Sequence, residues 1–428
     1  MKRSFCIRTL AVIGAIALAP ATTSIAQNAG SFEVAPSLPA AQIAPAALVK
    51  GANYDVADPV PIERFLVRAE LHSPYGTFRV SGLDMLAQRV RELRAIEELK
   101  KVQGSSAFGE ALAKSAAAPV KLVGSLVTDP GTTVENIASG VGTVLGRIGY
   151  SVKSGVENAS DAMSKPSPSQ KQSTPAAAGE GEPPAFTDDP LGYNRARREW
   201  AKKLDIDPYT SNPVLRPLLD DAARATFAGN FAVGMAVGAV AAPLQYATDF
   251  ETTVKDSVWD QPPGDLAKRN EEMMKRMGVP ADVGRAFLRN RWFTPTLQTA
   301  LVGGLDKLNG VSGRDALIRT AASVTGEVPA RFVVRCVALL AIAHRETPLV
   351  RLRMRGIVPI GEAKDHSLVA AAAVDYLYWS EEAAAFAKAP DVAAAHRLLL
   401  VQGQASDRAA DEFRRAGWTL RTGVGRNR

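Results

Sequence analysis

Glu327-Val328-Pro329-Ala330-Arg331-Phe332-Val333-Val334-Arg335-Cys336-Val337-Ala338-Leu339-Leu340-Ala341-Ile342-Ala343-His344 is the stretch that decides the fold class. It is apolar over far more residues than a strand spans, so it reads as a buried helix. It closes a series. Helices are predicted over Tyr193 to Leu204, Asn212 to Phe227, Phe231 to Thr248, Leu266 to Met277, Ala281 to Arg291, Thr296 to Leu308 and Ser312 to Thr325. Between them stand breakers: Asp207-Pro208-Tyr209, Gln261-Pro262-Pro263-Gly264, Gly278-Val279-Pro280 and Asn309-Gly310. Ser312, with Asp315 three residues on, is expected to cap its helix. Residues 191–345 therefore read as an all-helical domain.

Working outward, residues 346–428 change pattern. Ile357-Val358-Pro359-Ile360 and Leu368 to Val374 predict two strands, and Ser380 caps a short helix. Arg397 to Val401, a helix from Ser406 to Ala416, and Trp418-Thr419-Leu420 make a βαβ unit with the default right-handed crossover. In the other direction, residues 151–190 are rich in Pro, Ser, Ala and Gly and read as a disordered linker. Residues 57–150 hold a hairpin: Phe65, Val67, Ala69 and Leu71 alternate, Ser73-Pro74-Tyr75-Gly76 turns, and Phe78 and Val80 alternate again. A helix from Leu83 to Gln103 follows. After it, Val134, Ile137, Val141, Val144, Leu145 and Ile148 give a glycine-rich amphipathic helix. Residues 27–56 lack a period and are expected to form a flexible leader. The fold class is thus mainly α with smaller α+β parts: an N-terminal β-hairpin plus helix, a central all-helical domain and a C-terminal small α/β piece.

Residues 1–26 read as a signal peptide. Lys2, Arg3 and Arg8 precede the apolar core Leu10 to Ala19, and Ser24-Ile25-Ala26 offers small residues for cleavage after Ala26. The expected location is the periplasm or the extracellular space, where ATP, NADH and chromosomal DNA are scarce. The formal net charge is +7, and losing those three cations with the leader lowers it to +4. That excess is mild, and no basic stripe alternates with aromatics, so nucleic acid is not an expected partner. Cys6 leaves too. Cys336 is then the sole thiol, a small buried hydrophobe that can form no intramolecular disulfide.

The chemical motifs resolve into structural ones. Gly140-Val141-Gly142-Thr143-Val144-Leu145-Gly146 has its third glycine one place late for a dinucleotide loop, and no strand precedes it. Asp205-Ile206-Asp207-Pro208-Tyr209 begins like a calcium loop but has Thr210 where glycine belongs and Arg216 where the bidentate Glu belongs. It reads as an inter-helix turn with Asx-type capping. Gly310-Val311-Ser312-Gly313 is one spacer short of a nucleophile elbow. His72, His344, His366 and His396 lack metal-ligand spacing. The pairs Glu97-Glu98, Glu271-Glu272 and Glu381-Glu382 diverge on their helices and read as solvated faces. Arg195, Arg197, Arg198, Lys202 and Lys203 line a wet helix face beside Trp200. No catalytic, cofactor or metal residue is assigned.

Two features carry the functional expectation. The turn Gly403, Gln404, Ser406 puts a helix N-terminus at the carboxyl end of a strand, where α/β units bind anions, and is the candidate ligand-binding turn. Phe227 to Leu244 is apolar enough to approach a membrane span, yet its Ala and Gly content favours a buried helix. The expected function is an exported, non-catalytic binding or interaction protein whose partner is an unknown protein or envelope component. One alternative is a membrane-associated or membrane-active protein with peripheral membrane contact through residues 134–148 and 227–244. Another is an envelope hydrolase whose site is dispersed in sequence.

Overall fold

The computed structural model describes residues 32–117, 193–227 and 249–425. The expected signal peptide, the linker expected over 151–190, the amphipathic helix expected over 134–148 and residues 228–248, which take in most of the helix predicted from Phe231 to Thr248, lie outside the described residues. Within them the chain is mainly helical with two larger sheets.

The N-terminal sheet consists of β1 (Ser37–Leu38), β2 (Lys50–Gly51), β3 (Tyr54–Val56), β4 (Val60–Glu63), β5 (Leu66–Ser73) and β6 (Gly76–Ser81). Its order is β1-β4-β5-β3-β2, with β6 paired to β5. The expected hairpin is β5–β6, with Leu71 opposite Phe78 and Ala69 opposite Val80. Strand alternation sends Val67, Ala69 and Leu71 to one face. Helix α3 (Leu83–Gln103) covers that face with Leu86, Val90, Leu93, Ile96 and Leu99, all buried.

The flexible leader expected over residues 27–56 is corrected from Phe32 onward. Two single-turn helices, α1 (Ala40–Ile43) and α2 (Ala46–Val49), follow one another between β1 and β2, and Ile43, Leu48 and Val56 are buried. Elements of two to four residues are too short to display a period, so the sequence looked patternless. Helix α4 (Ser106–Ala117) follows α3.

Helices α5 (Tyr193–Leu204) and α6 (Leu215–Phe227) close this same N-terminal core. Trp200, Leu204, Leu215 and Leu219 pack with α3, although the sequence assigned residues 191–345 to one helical unit. The second core gathers α7 (Asp249–Asp260), α8 (Pro263–Arg276), α9 (Ala281–Leu288), α10 (Pro295–Asp306), α11 (Arg314–Ala322) and α12 (Glu327–Glu346). Pro329 falls in the first turn of α12, where its missing N–H leaves no bond unmade.

The C-terminal sheet has the order β13-β11-β9-β8-β7, from β7 (Leu349–Arg355), β8 (Val358–Ala363), β9 (Leu368–Ala372), β11 (Arg397–Val401) and β13 (Thr419–Arg421). The expected βαβ unit is β11, α14 (Asp407–Arg415) and β13, with Leu399 opposite Leu420 in parallel. A small parallel pair, β10 (Tyr376–Leu377) and β12 (Gln404–Ala405), stands beside it. Helix α12 lies across one face, burying Val333, Cys336, Val337 and Leu340 among Val369, Ala371 and residues of α10. The other face carries α13 (Glu381–Ala387), α14, Trp379 and Trp418. The cores therefore run across the boundary read at residue 345.

Ser312 is a further correction. Helix α11 starts at Arg314, after Gly313 at φ +81°. Ser312 instead exchanges backbone hydrogen bonds with β7, its N–H donating to Val350 O and its carbonyl accepting from Leu352 N. Strand β7 was not predicted, and its open edge claims the residue that a lone helix would use as a cap.

Long-range polar bonds fasten the cores together. Asp375 Oδ2 accepts from Val67 N at 3.0 Å and from Leu83 N at 3.1 Å, so a loop of the C-terminal sheet caps α3. At the same helix end Asp84 pairs with Arg335 of α12 at 3.2 Å and accepts from Gln402 Nε2 at 3.0 Å.

Candidate functional site

Where α3, the α5–α6 loop, α7, α10 and α12 converge, they leave a cavity of about 130 Å³. Its greasy wall is Ile206, Val258, Trp259, Leu297, Ala300 and Val334; its polar wall is Gln88, Arg91, Glu92, Asp207, Arg331 and Arg335.

Local sequence fixes the loop. Helix α5 ends at Leu204, Asp205 takes φ +57°, and Ile206 N–H reaches back to Ala201 O. This is the Schellman pattern, made by a residue that tolerates left-handed backbone. The expected Asx turn is present: Asp207 Oδ1 accepts from Tyr209 N at 2.8 Å. Three residues before the start of α6, Asn212 Oδ1 accepts from Val214 N and Leu215 N at 2.9 and 3.1 Å. Asp205 is tied to Lys255 of α7, whose ammonium also sits 4.6 Å from the Trp259 ring centre.

Beneath the cavity runs a buried charged chain. Glu92, 1% exposed, accepts from Arg89 at 2.7 Å, Gln88 at 2.8 Å, Thr210 at 2.5 Å and Asn212 at 2.9 Å. Burial alone would raise its carboxyl, but Arg89 and these donors outweigh it and hold it below the ordinary value. Arg89 also donates to Ser211 Oγ at 2.8 Å, and Ser211 donates to Glu327 Oε1 at 2.9 Å. Glu327 pairs with Arg331 at 2.8 Å; desolvation raises its carboxyl, yet Arg331, Arg89 and Ser211 carry the net shift downward. The chain thus ties α3, the α5–α6 loop and α12 to one another.

Asp207 differs from these acids. Its Oδ1 accepts from Thr296 Oγ1 at 2.6 Å as well as from Tyr209 N. Among the described residues Oδ2 accepts no hydrogen bond, and it is not sealed from solvent. Burial raises its carboxyl to about 6, because Thr296, the Tyr209 N–H and Arg331 compensate only in part while Glu92 adds repulsion. Gln88 Oε1 is a second open acceptor on this wall, its amide nitrogen being spent on Glu92.

The turn singled out from sequence is built differently. Gly403 N–H donates to Val374 O at 2.8 Å, and a Cβ there would lie 1.9 Å from Asp375 O. Gln404 Nε2 donates to Gln42 O at 3.1 Å. Ser406 Oγ caps α14 by accepting from Ala409 N at 3.0 Å, and it donates to Glu33 Oε2 at 2.7 Å. Glu33 also accepts from Trp379 N. The anion at this helix N-terminus is therefore a carboxylate of the same chain, delivered by residues read as leader.

The remaining sequence candidates stay apart. His72 contacts Thr77, His344 Nδ1 accepts from Leu349 N, and His366 contacts Glu362 at the surface. Among the described residues no three His, Cys, Asp or Glu side chains gather as a metal site. Cys336 is buried with Sγ 3.2 Å from Ala371 O, and burial pushes its thiol far above the ordinary value. Sequence reasoning passed over Asp207 as a turn former. The signal it held was an acid directly before a proline; its partner Thr296 stands 89 residues away. No protein-family model, curated protein or solved structure matches this chain.

Proposed function

We propose that the protein is an exported, non-catalytic binding protein of the periplasm or cell envelope, and that the cavity at Asp207 seats its ligand. One observation carries the reading: an apolar wall and two unused acceptor oxygens meet in one cavity at the junction of five elements. Pockets of this make-up hold small molecules. Holding is favoured over turnover because the neighbouring charges are committed. Lys255 is paired with Asp205, Arg331 with Glu327, Arg335 with Asp84, and Glu92 with Arg89. Asp207 is left without the second titrating partner that acid–base chemistry uses.

Native mass spectrometry of the protein taken from its own envelope tests the seat. A small non-covalent adduct is expected, and Ala300→Leu, which grows a side chain into the cavity, should abolish it. Recovery of unliganded protein alone, with no adduct in any preparation, would count against the reading. Export rests on residues 2–26 and is tested by N-terminal sequencing after cell fractionation. Gln27 should be the first residue; a Met1-bearing chain in the cytosol refutes it.

A further inference from the structure

We infer that the cavity's ligand is a compact organic amine, bound with its ammonium on Asp207 and its hydrocarbon body against Trp259, Val258 and Leu297. The inference rests on the cavity being the ligand seat and names the class of molecule that fits it.

Size comes first. An apolar cavity of about 150 Å³ takes up benzene, so about 130 Å³ holds a body of roughly six non-hydrogen atoms, with a polar head reaching the cavity's edge. Polarity decides the class. The wall carries two acceptors that take no hydrogen bond among the described residues, Asp207 Oδ2 and Gln88 Oε1, and an acceptor is satisfied by a donor. Water could serve these oxygens but would leave the Trp259, Val258 and Leu297 surfaces unfilled.

Charge agrees with polarity. The charged groups around Asp207 are Arg91 and Glu92 on α3, Asp205 on its own loop, Lys255 on α7, and Glu327, Arg331 and Arg335 on α12. Helix α10 contributes Thr296, uncharged. Lys255, Arg331 and Arg335 each have a carboxylate within ion-pair distance, Glu92 has Arg89, and Arg91 is itself engaged. Among the described residues Asp207 is the wall carboxylate outside every ion pair. A carboxylate buried in this way regains its missing stabilisation from a cation placed at Oδ2. An organic carboxylate in the same place would meet Asp207 as a like charge.

Calorimetric titration of the mature chain with three isosteric probes separates the outcomes. Benzylamine is expected to bind at neutral pH at least about tenfold more tightly than benzyl alcohol, the worth of one charge-assisted hydrogen bond. Asp207→Asn, which keeps the Oδ1 acceptor, should reduce benzylamine to the alcohol's level. An alkylammonium keeps its proton throughout, so wild-type affinity should fall about tenfold per pH unit below about 6 as Asp207 takes up a proton. That profile needs no variant and so does not depend on any substitution folding. Benzoate binding tightest, or a pH-independent benzylamine affinity, overturns the amine while Ala300→Leu sensitivity would still mark the cavity as the seat. If none of the three probes binds, both the class and the seat fall.

Discussion

Asp207→Asn should make the empty protein more stable at neutral pH, and the gain should vanish in acid. The carboxyl sits at about 6 in the folded chain against an ordinary 3.8. A folded-state value above the unfolded one means the native protein prefers the protonated form. Below 3.8 both states are protonated and the group contributes no penalty. As pH rises towards 6 the unfolded chain ionises first, and native stability is lost across that window. The full penalty, reached above 6, has a ceiling of about 3 kcal/mol. Solvent reaching Oδ2 through the cavity screens it, leaving about 1–2 kcal/mol. Asparagine keeps an acceptor for Thr296 and Tyr209 N and removes the uncompensated charge. Thermal unfolding at pH 7.5 should rise by roughly 2–8 °C, at about 2–4 °C per kcal/mol. At a pH below 3.8 the variant and wild type should coincide. A variant destabilised by the same amount at both pH values refutes the reasoning, because Asp207 would then be a structural hydrogen-bonding group and not a strained one. Gaining stability when a group is lost is the mark of a residue kept for function.

Glu92→Ala should behave in the opposite way, costing about 3–5 kcal/mol in urea denaturation, because it leaves Arg89 buried at 6% exposure without its carboxylate; a loss under about 1 kcal/mol would show that the charged chain is not a structural tie. Since Glu92 and Glu327 are both held below the ordinary 4.5, the stability they add is complete above that value and is lost as pH falls through their lower folded values. Gly403→Ala should cost about 1–3 kcal/mol or more, because its Cβ would meet Asp375 O at 1.9 Å, backbone that has to move. Gly303→Ala, inside α10 with nothing within 4 Å of the added atom, should instead gain up to about 1 kcal/mol. Equal effects at the two glycines would remove the packing explanation.

The fold was legible where a single element is long enough to repeat its pattern. Helix α3 runs from Leu83 to Gln103 as its 3.6-residue spacing requires, and β11–α14–β13 follows from an apolar run, the Ser406 cap and the stop at Gly417. Legibility failed where partners decide. Residues 37–56 form elements of two to four residues whose apolar side chains are placed by β4, β5 and α3, not by any local period. Strand β7 reads Leu349-Val350-Arg351-Leu352-Arg353-Met354-Arg355; its alternation is real, but it starts three residues after α12 and is crowded with arginines, so the sequence reading assigns it no element. Ser312 then went astray because its fate depends on β7. That 193–227 packs in the N-terminal core was hidden for a related reason, since amphipathic helices announce a greasy face without saying which core it meets.

The site was less legible than the fold, and the cause lies in what each region spends its polar atoms on. The turn at Gly403–Ser406 looked promising because a helix N-terminus offers unpaired donors. Those donors are met within the chain: Ser406 Oγ serves Ala409 N, and Glu33, distant in sequence, completes the end of α14. At Asp205–Tyr209 the sequence spoke for a self-satisfied Asx turn, and Oδ1 behaves as such. Only the packing of α7, α10 and α12 around the loop shields most of Asp207 from water while leaving Oδ2 without a donor. The same acid would be an unremarkable turn residue on a surface; enclosed beside Trp259 and Val258 it becomes an unmet demand for a donor. A motif search tests which residues are adjacent, whereas this site is defined by one oxygen that its neighbours do not satisfy, and that property exists only after the chain has folded.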